Sequence, residues 1–331
     1  MAQVQESLDP EVTAQQETNA LNEAENQVRI QAISREIARR QAALEDLRYS
    51  GGVYSAALQE AYSDLGAFYV EIGELESARE VYVEALQISR INTGLYSADQ
   101  LPIIRAAIDV NTKLKDWPKI DDLQVLHFHI SGRLYDSSED DYLVAAQLYG
   151  DWTLRTLREN LLDENFRELT IRAEDLSSFY GTLIEQLEIN QAMVSKEGLD
   201  FVVAKAETDL VLARAIATTP YTEFLGTANP TIYQTRCVST RDSTGQIVQR
   251  CSKIQVLNPR YAQSQRDAKQ AAVSRQVRNI TEAIERLQTI RVAIPDMEVV
   301  ELEKIDSRIA QLEVEAQMLL RRARSSGFFS L

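Results

Sequence analysis

The chain has 331 residues, 44% apolar and 26% charged, which gives room for two domains or one elongated array with a substantial core. Only 12 Gly and 7 Pro argue against a β-sandwich and against long disordered linkers. The net charge of −15 is uneven, with 13 Lys/Arg against 10 Asp/Glu in residues 251–331 and 22 against 40 in residues 1–250, so the front repels phosphate backbones, which speaks against nucleic acid, and suits basic peptides or cationic surfaces.

Residues 1–18 are polar and unpatterned and read as a mobile tail. Residues 19–50 read as a helix rich in Ala, Glu, Gln and Arg. Ile30, Ile33, Ile37 and Leu44 form its apolar stripe, and Ser50, Gly51 and Gly52 end it. Residues 58–90 then read as two short helices folded on each other. On the first, Leu58, Tyr62, Leu65 and Tyr69 recur at helical spacing, and Gly66 on the same face lets a neighbour approach closely. Gly73 supplies the turn, because it tolerates positive φ. On the second, Leu75, Ala78, Tyr82, Ala85 and Leu86 face inward, small alternating with large.

The order Tyr62, Leu65, Gly66, Tyr69, Gly73, Ala78, Tyr82, Ala85 resembles the tetratricopeptide repeat. The departure is at the closing proline, where Arg90 and Asn92 stand. The resemblance implies a protein-binding helical scaffold whose first helices line a concave side. It therefore offers Gln59, Ser63 and Glu71 as groove residues, and the other eight as repeat core. The linker Ile91 to Ser97 resembles those of uncharacterised bacterial periplasmic proteins that carry such a repeat.

A second pair follows. Leu101, Ile104, Ile108 and Leu114 line one helix, Asp116 and Trp117 make the turn, and Ile120, Leu123, Leu126 and Ile130 line the other. Overlaying Glu74 on Asp116 gives a period of 42 residues, longer than the family's usual ~34 and similar to the longer-looped variety in kinesin light chains. A third unit is expected from Tyr142, Ala145, Ala146, Tyr149, Trp152 and Leu157, followed by a helical run from Phe166 to Leu187. The repeats are thereby assigned to residues 53–190, and residues 199–331 to a separate helical module.

That module opens with a helix over residues 199–217, then Pro220 and Pro230 bracket a loop. A β-hairpin over 232–256 is expected from Val-, Ile- and Thr-rich arms around the turn Asp242 to Gly245. It brings Cys237 and Cys251 together, and a bridge closing that ~15-residue loop would stabilise by about 3 kcal/mol. The alternative is two buried thiols in a cytosolic protein. A lone pair straddling a polar hairpin favours the disulfide, and with it a periplasmic or extracellular location. Antiparallel helices over 261–294 and 296–324 close the chain. Val273, Val277, Ile280, Ile284 and Leu287 are patterned to face Leu302, Ile305, Ile309, Leu312 and Leu319, with Ile294, Pro295 and Asp296 between.

Chemistry is sparse. His127 and His129 lie two apart, on different sides of a helix, where zinc ligation wants three or four; they read as one core-edge and one surface histidine. The sequence contains no CxxC, HExxH, GxSxG or phosphate-cradling glycine pattern. Glu139, Asp140 and Asp141 read as charge at a helix N-terminus, and the sequon Asn279 to Thr281 falls mid-helix. No run approaches the ~18 apolar residues of a membrane span, and the opening MAQVQESLDP lacks the apolar core of a secretory signal.

The expectation is an all-α, tetratricopeptide-like helical array with a C-terminal αα-hairpin or coiled coil and one disulfide-linked β-hairpin. It needs no cofactor or metal and acts as a non-enzymatic scaffold of the bacterial cell envelope for a protein or peptide partner, a basic one by charge. Two rivals stand beside it. One is a structural protein that self-assembles through its C-terminal helices and the end Phe328–Phe329. The other is an enzyme working with carboxylates alone, such as a glycoside hydrolase, which needs a pocket with two carboxylates about 5–9 Å apart.

Overall fold

The computed structural model describes residues 10–52, 54–189, 196–241, 243–293 and 299–325. The expected turn residue Asp242, the stop at Ile294 to Asp296 and the terminal phenylalanines lie outside these. The chain divides into two compact units, residues 1–135 and 136–331.

The first unit holds α1 (Pro10–Gly51), α2 (Ala56–Ile72), α3 (Leu75–Thr93), α4 (Gln100–Leu114) and α5 (Trp117–Leu134), each packed on the next. Helix α1 starts at Pro10, so residues 10–18, expected in a tail, are helical, while residues 1–9 lie outside the described ones. Its stripe is graded: Leu44 is buried, Ile33 and Ile37 half-buried, Ile30 exposed. Ile37, Leu44 and Leu47 of α1 pack on the apolar cluster built by α2 and α3.

Helices α2 and α3 form the tetratricopeptide-like pair. Leu58, Tyr62, Leu65, Gly66 and Tyr69 are buried on α2, and Ala78, Tyr82, Ala85 and Leu86 on α3. A Cβ on Gly66 would lie 2.8 Å from the Tyr82 ring, so glycine here is what lets the two helices close. Gly73 ends α2 in the left-handed region at φ 84°. Its N–H donates to Val70 O and that of Glu74 to Tyr69 O, which satisfies the last carbonyls of the helix. One apolar cluster runs from Leu44 of α1 to Ile130 of α5. The 42-residue overlay holds there: Leu58, Tyr62, Leu65, Tyr69, Ala78, Ala85, Ile88 and Ser89 are buried, and so are Gln100, Ile104, Ala107, Asn111, Ile120, His127, Ile130 and Ser131.

The second unit holds α6 (Asp140–Glu159), α7 (Phe166–Ile189), α8 (Lys196–Thr218), β1 (Thr231–Arg241), β2 (Ile247–Leu257), α9 (Pro259–Ala293) and α10 (Val299–Ser325). Helices α6 and α7, grouped with the repeats by sequence, pack here, with Ala173, Leu176, Tyr180, Leu183, Ile184 and Leu187 buried on α7 and Phe201, Val202, Ala206 and Leu210 on α8. Glu139 to Asp141 sit at the start of α6 as expected. The apolar stripes of α9 and α10 do meet, but both also contact α8, so the C-terminal pair is part of a three-helix packing. Buried Asp209 of α8 accepts from Ser177 Oγ at 2.6 Å and Lys205 Nζ at 2.8 Å. This polar link between α7 and α8 left no trace in the apolar pattern.

Strands β1 and β2 pair antiparallel with Cys237 opposite Cys251, joined by a disulfide with the Cα atoms 3.9 Å apart. Gly245 takes φ 85° in the connecting turn. Nearly every residue of both strands is exposed.

Candidate functional site

Helices α1 and α3 flank α2 and leave a cleft of about 610 Å³. Its floor is the outer edge of the repeat core, Tyr62, Leu65 and Tyr69, and its walls are Gln41, Ala42, Leu44 and Glu45 from α1 and Ser77, Glu80 and Val81 from α3. Polar contacts from the floor set the position of α1. Arg48 donates to the Tyr62 hydroxyl, and Gln41 Nε2 donates to the Tyr69 hydroxyl at 3.3 Å. The Arg40 guanidinium lies 4.7 Å above the Phe68 ring. Glu36 pairs with Arg39 and Arg40 at 2.8 Å each, and the bond from Arg39 is the main reason its carboxyl sits below the usual range.

Chemically the cleft offers an aromatic and aliphatic floor between two carboxylates, Glu45 and Glu80. Tyrosine edges give apolar area with polar tips, and here both hydroxyls are engaged by α1. Glu45 is paired with Arg48 of its own helix at 3.4 Å, so the negative sign of the walls is carried chiefly by Glu80.

The sequence-expected groove residues fall elsewhere. Gln59 and Ser63 are half-buried, Glu71 is exposed, and none of the three lines this cleft. Ser63 Oγ donates to Gln59 O at 3.0 Å, so its hydroxyl is engaged by its own helix. Of the eight residues assigned to the repeat core, seven are buried and Gly73 is exposed in the turn; Tyr62, Leu65 and Tyr69 also line the cleft floor. Gln41, Glu45, Glu80 and Val81 were missed as site residues. The density of tyrosines was the available signal, but which helix would cover them is a tertiary fact.

His127 is 2% exposed, and its Nε2 accepts from Arg105 Nε at 3.0 Å. Burial, and then the Arg105 charge, lower its pKa to about 4, so the ring is neutral near pH 7. His129 is exposed and meets the Tyr96 ring at 5.4 Å between centroids. One core and one surface histidine is what the spacing implied. Among the described residues no three His, Cys, Asp or Glu are placed to hold a metal, and no helix is long and apolar enough to cross a membrane.

A second cleft, of about 390 Å³, opens in the other unit, where α6 and α8 face each other over Tyr180 of α7. Asp151, Arg155, Arg158, Asp200 and Glu207 line it. Burial, and then the Asp200 charge, push the Asp151 carboxyl up, while Arg158 opposes them. Glu207 pairs with both Arg158 and Arg308, which uses its charge internally.

No family model and no curated protein matches the chain. Among solved structures, it is similar to a putative kinesin light chain from Podosopora anserina with nearly identical TPR-like repeats, at 8% identity and TM-score 0.37, over 55% of this chain and 76% of that one. It is also similar to BtubC (BKLC) from P. vanneervenii, at 14% identity and TM-score 0.32, over 81% and 94% of the two chains. A computationally designed self-assembling cyclic homooligomer matches at 13% identity and TM-score 0.33, over 91% and 99%. Likenesses at these TM-scores bear on neither partner nor activity.

Proposed function

We propose that this protein is a non-catalytic scaffold that holds a basic segment of a protein partner in the cleft between α1 and α3. The observation that carries this reading is the cleft floor of Tyr62 and Tyr69, buried but for the 7% of each that faces the cleft, lying between Glu45 and Glu80. A segment with alternating apolar and Lys/Arg side chains would place the former on the tyrosines and the latter against the glutamates. Calorimetric titration with a synthetic Lys/Leu peptide tests it. Glu45→Lys with Glu80→Lys should weaken binding about tenfold or more, and unchanged affinity would remove the cleft as the site. Arginine at Gln59, Ser63 and Glu71 together is the competing arm, because binding lost there alone would return the site to the polar flank of α2.

The scaffold is proposed to work in an oxidising compartment of the cell envelope, supported by the pairing of the chain's two cysteines into one bridge. Thiol titration of unfolded native-source protein, with and without reductant, tests this; two free thiols before reduction would place it elsewhere. The carboxylate-only enzyme has one observation in its favour, the shared cleft of Asp151 and Asp200. Hydrolysis of a chromogenic glycoside panel that disappears in Asp151→Asn would establish it against the scaffold.

A further inference from the structure

The hairpin of β1 and β2 has the composition of a docking arm. Its strands are 11 residues each, about 35 Å when extended. They carry Arg236, Arg241, Arg250 and Lys253 and no acidic residue, on a chain of net charge −15. Among the described residues none of these four pairs with a carboxylate. The register puts Ile232, Arg236 and Val238 of β1 on one face with Arg250, Ile254 and Val256 of β2. That face is apolar and cationic, and Ile232, Val238 and Arg250 on it are open to water. A two-stranded sheet with both edges free is marginal alone. The Cys237–Cys251 bridge fixes its register, so the face is held ready and not assembled on contact.

We infer that this hairpin is the basic segment the α1–α3 cleft receives, presented by a second copy of the chain, which makes the protein a head-to-tail self-associating scaffold. The inference rests on the cleft reading above. Charge complementarity within one sequence carries it. Helices α2 and α3 and the turn between them hold Glu60, Asp64, Glu71, Glu74, Glu76, Glu80 and Glu84 against Arg79 and Arg90 only, opposite in sign to the arm. Hairpin against hairpin would set like charges together. An anionic membrane would attract the arm but repel the strongly negative remainder. A contact between unlike surfaces propagates or closes into a ring, according to its rotation.

Sedimentation velocity on the full chain over a concentration series, at low and high salt, is the test, with folding of each variant checked by thermal melting. Wild type should associate with rising concentration and dissociate with salt. Arg236→Glu with Arg250→Glu, and separately Glu45→Lys with Glu80→Lys, should each weaken association about tenfold or more. A mixture of the two variants should associate again, since each then offers the other an opposite sign at both contacts. Association unchanged by the hairpin reversal, or a monomeric wild type at all concentrations, would overturn the inference. So would hairpin-dependent binding to phosphatidylglycerol vesicles without self-association. In each of those cases, a Lys/Leu peptide still held by the cleft would leave the scaffold reading intact, and its loss would remove both.

Discussion

The two helix pairs of the first unit, α2–α3 and α4–α5, bury the same positions with different chemistry. Where the first has Leu58, Tyr69 and Ala85, the second has Gln100, Asn111 and His127, all buried. The polar set is accommodated locally. Gln100 Nε2 donates to Gly94 O at 2.6 Å, Asn111 Nδ2 to Ala107 O at 2.7 Å, and His127 accepts from Arg105. The first pair is closed by size, with Gly66 against Tyr82, while Ile108 stands at the equivalent place in the second. A backbone plan can thus persist when its packing residues are replaced and their donors find partners, even with Gln100 Oε1 and Asn111 Oδ1 left buried without one.

The largest contrast should appear in acid. Unfolded, His127 takes up a proton near its ordinary 6.5; folded, it resists until about 4. Stability present at neutral pH is therefore lost as pH falls from 6.5 towards 4, by about 3 kcal/mol from this group. Urea midpoints at pH 7 and pH 4 for wild type and for His127→Ala, which installs the residue of the first pair, measure it. An equal loss in both proteins would show that the histidine is not the acid-labile element.

Next comes the glycine. Gly66→Ala forces a Cβ into the Tyr82 ring and should destabilise by about 1–3 kcal/mol, as overpacking does. Adding Tyr82→Leu should recover part of that, because the clash would be gone. Strict additivity of the two would disprove contact as the cause. The same device recurs in the second unit, where a Cβ on Gly150 would lie 2.0 Å from the Tyr180 hydroxyl oxygen.

Asn111→Leu should be smaller. Asn111 Oδ1 is buried without a partner, so an apolar side chain of similar size should stabilise by about 1 kcal/mol, read as a shift in urea midpoint. Destabilisation would mean that the bond to Ala107 O outweighs the orphaned oxygen.

These residues also show what the sequence could and could not disclose. Tyr62, Gly66, Ala78 and Tyr82 announced the first pair because apolar and small residues carry the helical period on their own. The helices of the second pair were legible from Leu101, Ile104, Ile120 and Ile130, but its correspondence to the first only through the overlay, since Gln100, Asn111 and His127 are invisible to an apolar period. Gly150 went unnoticed because it lies 30 residues from Tyr180, whereas Gly66 and Tyr82 are 16 apart. The hairpin was readable from its turn and arms. The division at residue 135 was not, because the stripes on α7 and α8 specify that they are buried, not against which helix. The cleft was half-readable for the same reason: its floor is local in sequence, and its α1 wall is not.

The smallest effect tests the turn the pairs share. Gly73 and Lys115, 42 apart, both end their helices with positive φ, at 84° and 59°. Asp116 N–H donates to Asn111 O at 3.0 Å, matching Glu74 to Tyr69 at 2.9 Å. The geometry is the same, yet only one copy uses the residue that adopts it without steric penalty. Lys115→Gly relieves the left-handed conformation but loosens the unfolded chain, two terms of about 1 kcal/mol and 0.5–1 kcal/mol in opposite directions. The first should prevail slightly, raising stability by about 0.5 kcal/mol. Gly73→Ala, with the backbone held by the same two hydrogen bonds, should lower it by about 1 kcal/mol. Opposite signs at the two positions would show that the turn is imposed by the packing of each pair and merely suited, well or poorly, by the residue that sits there.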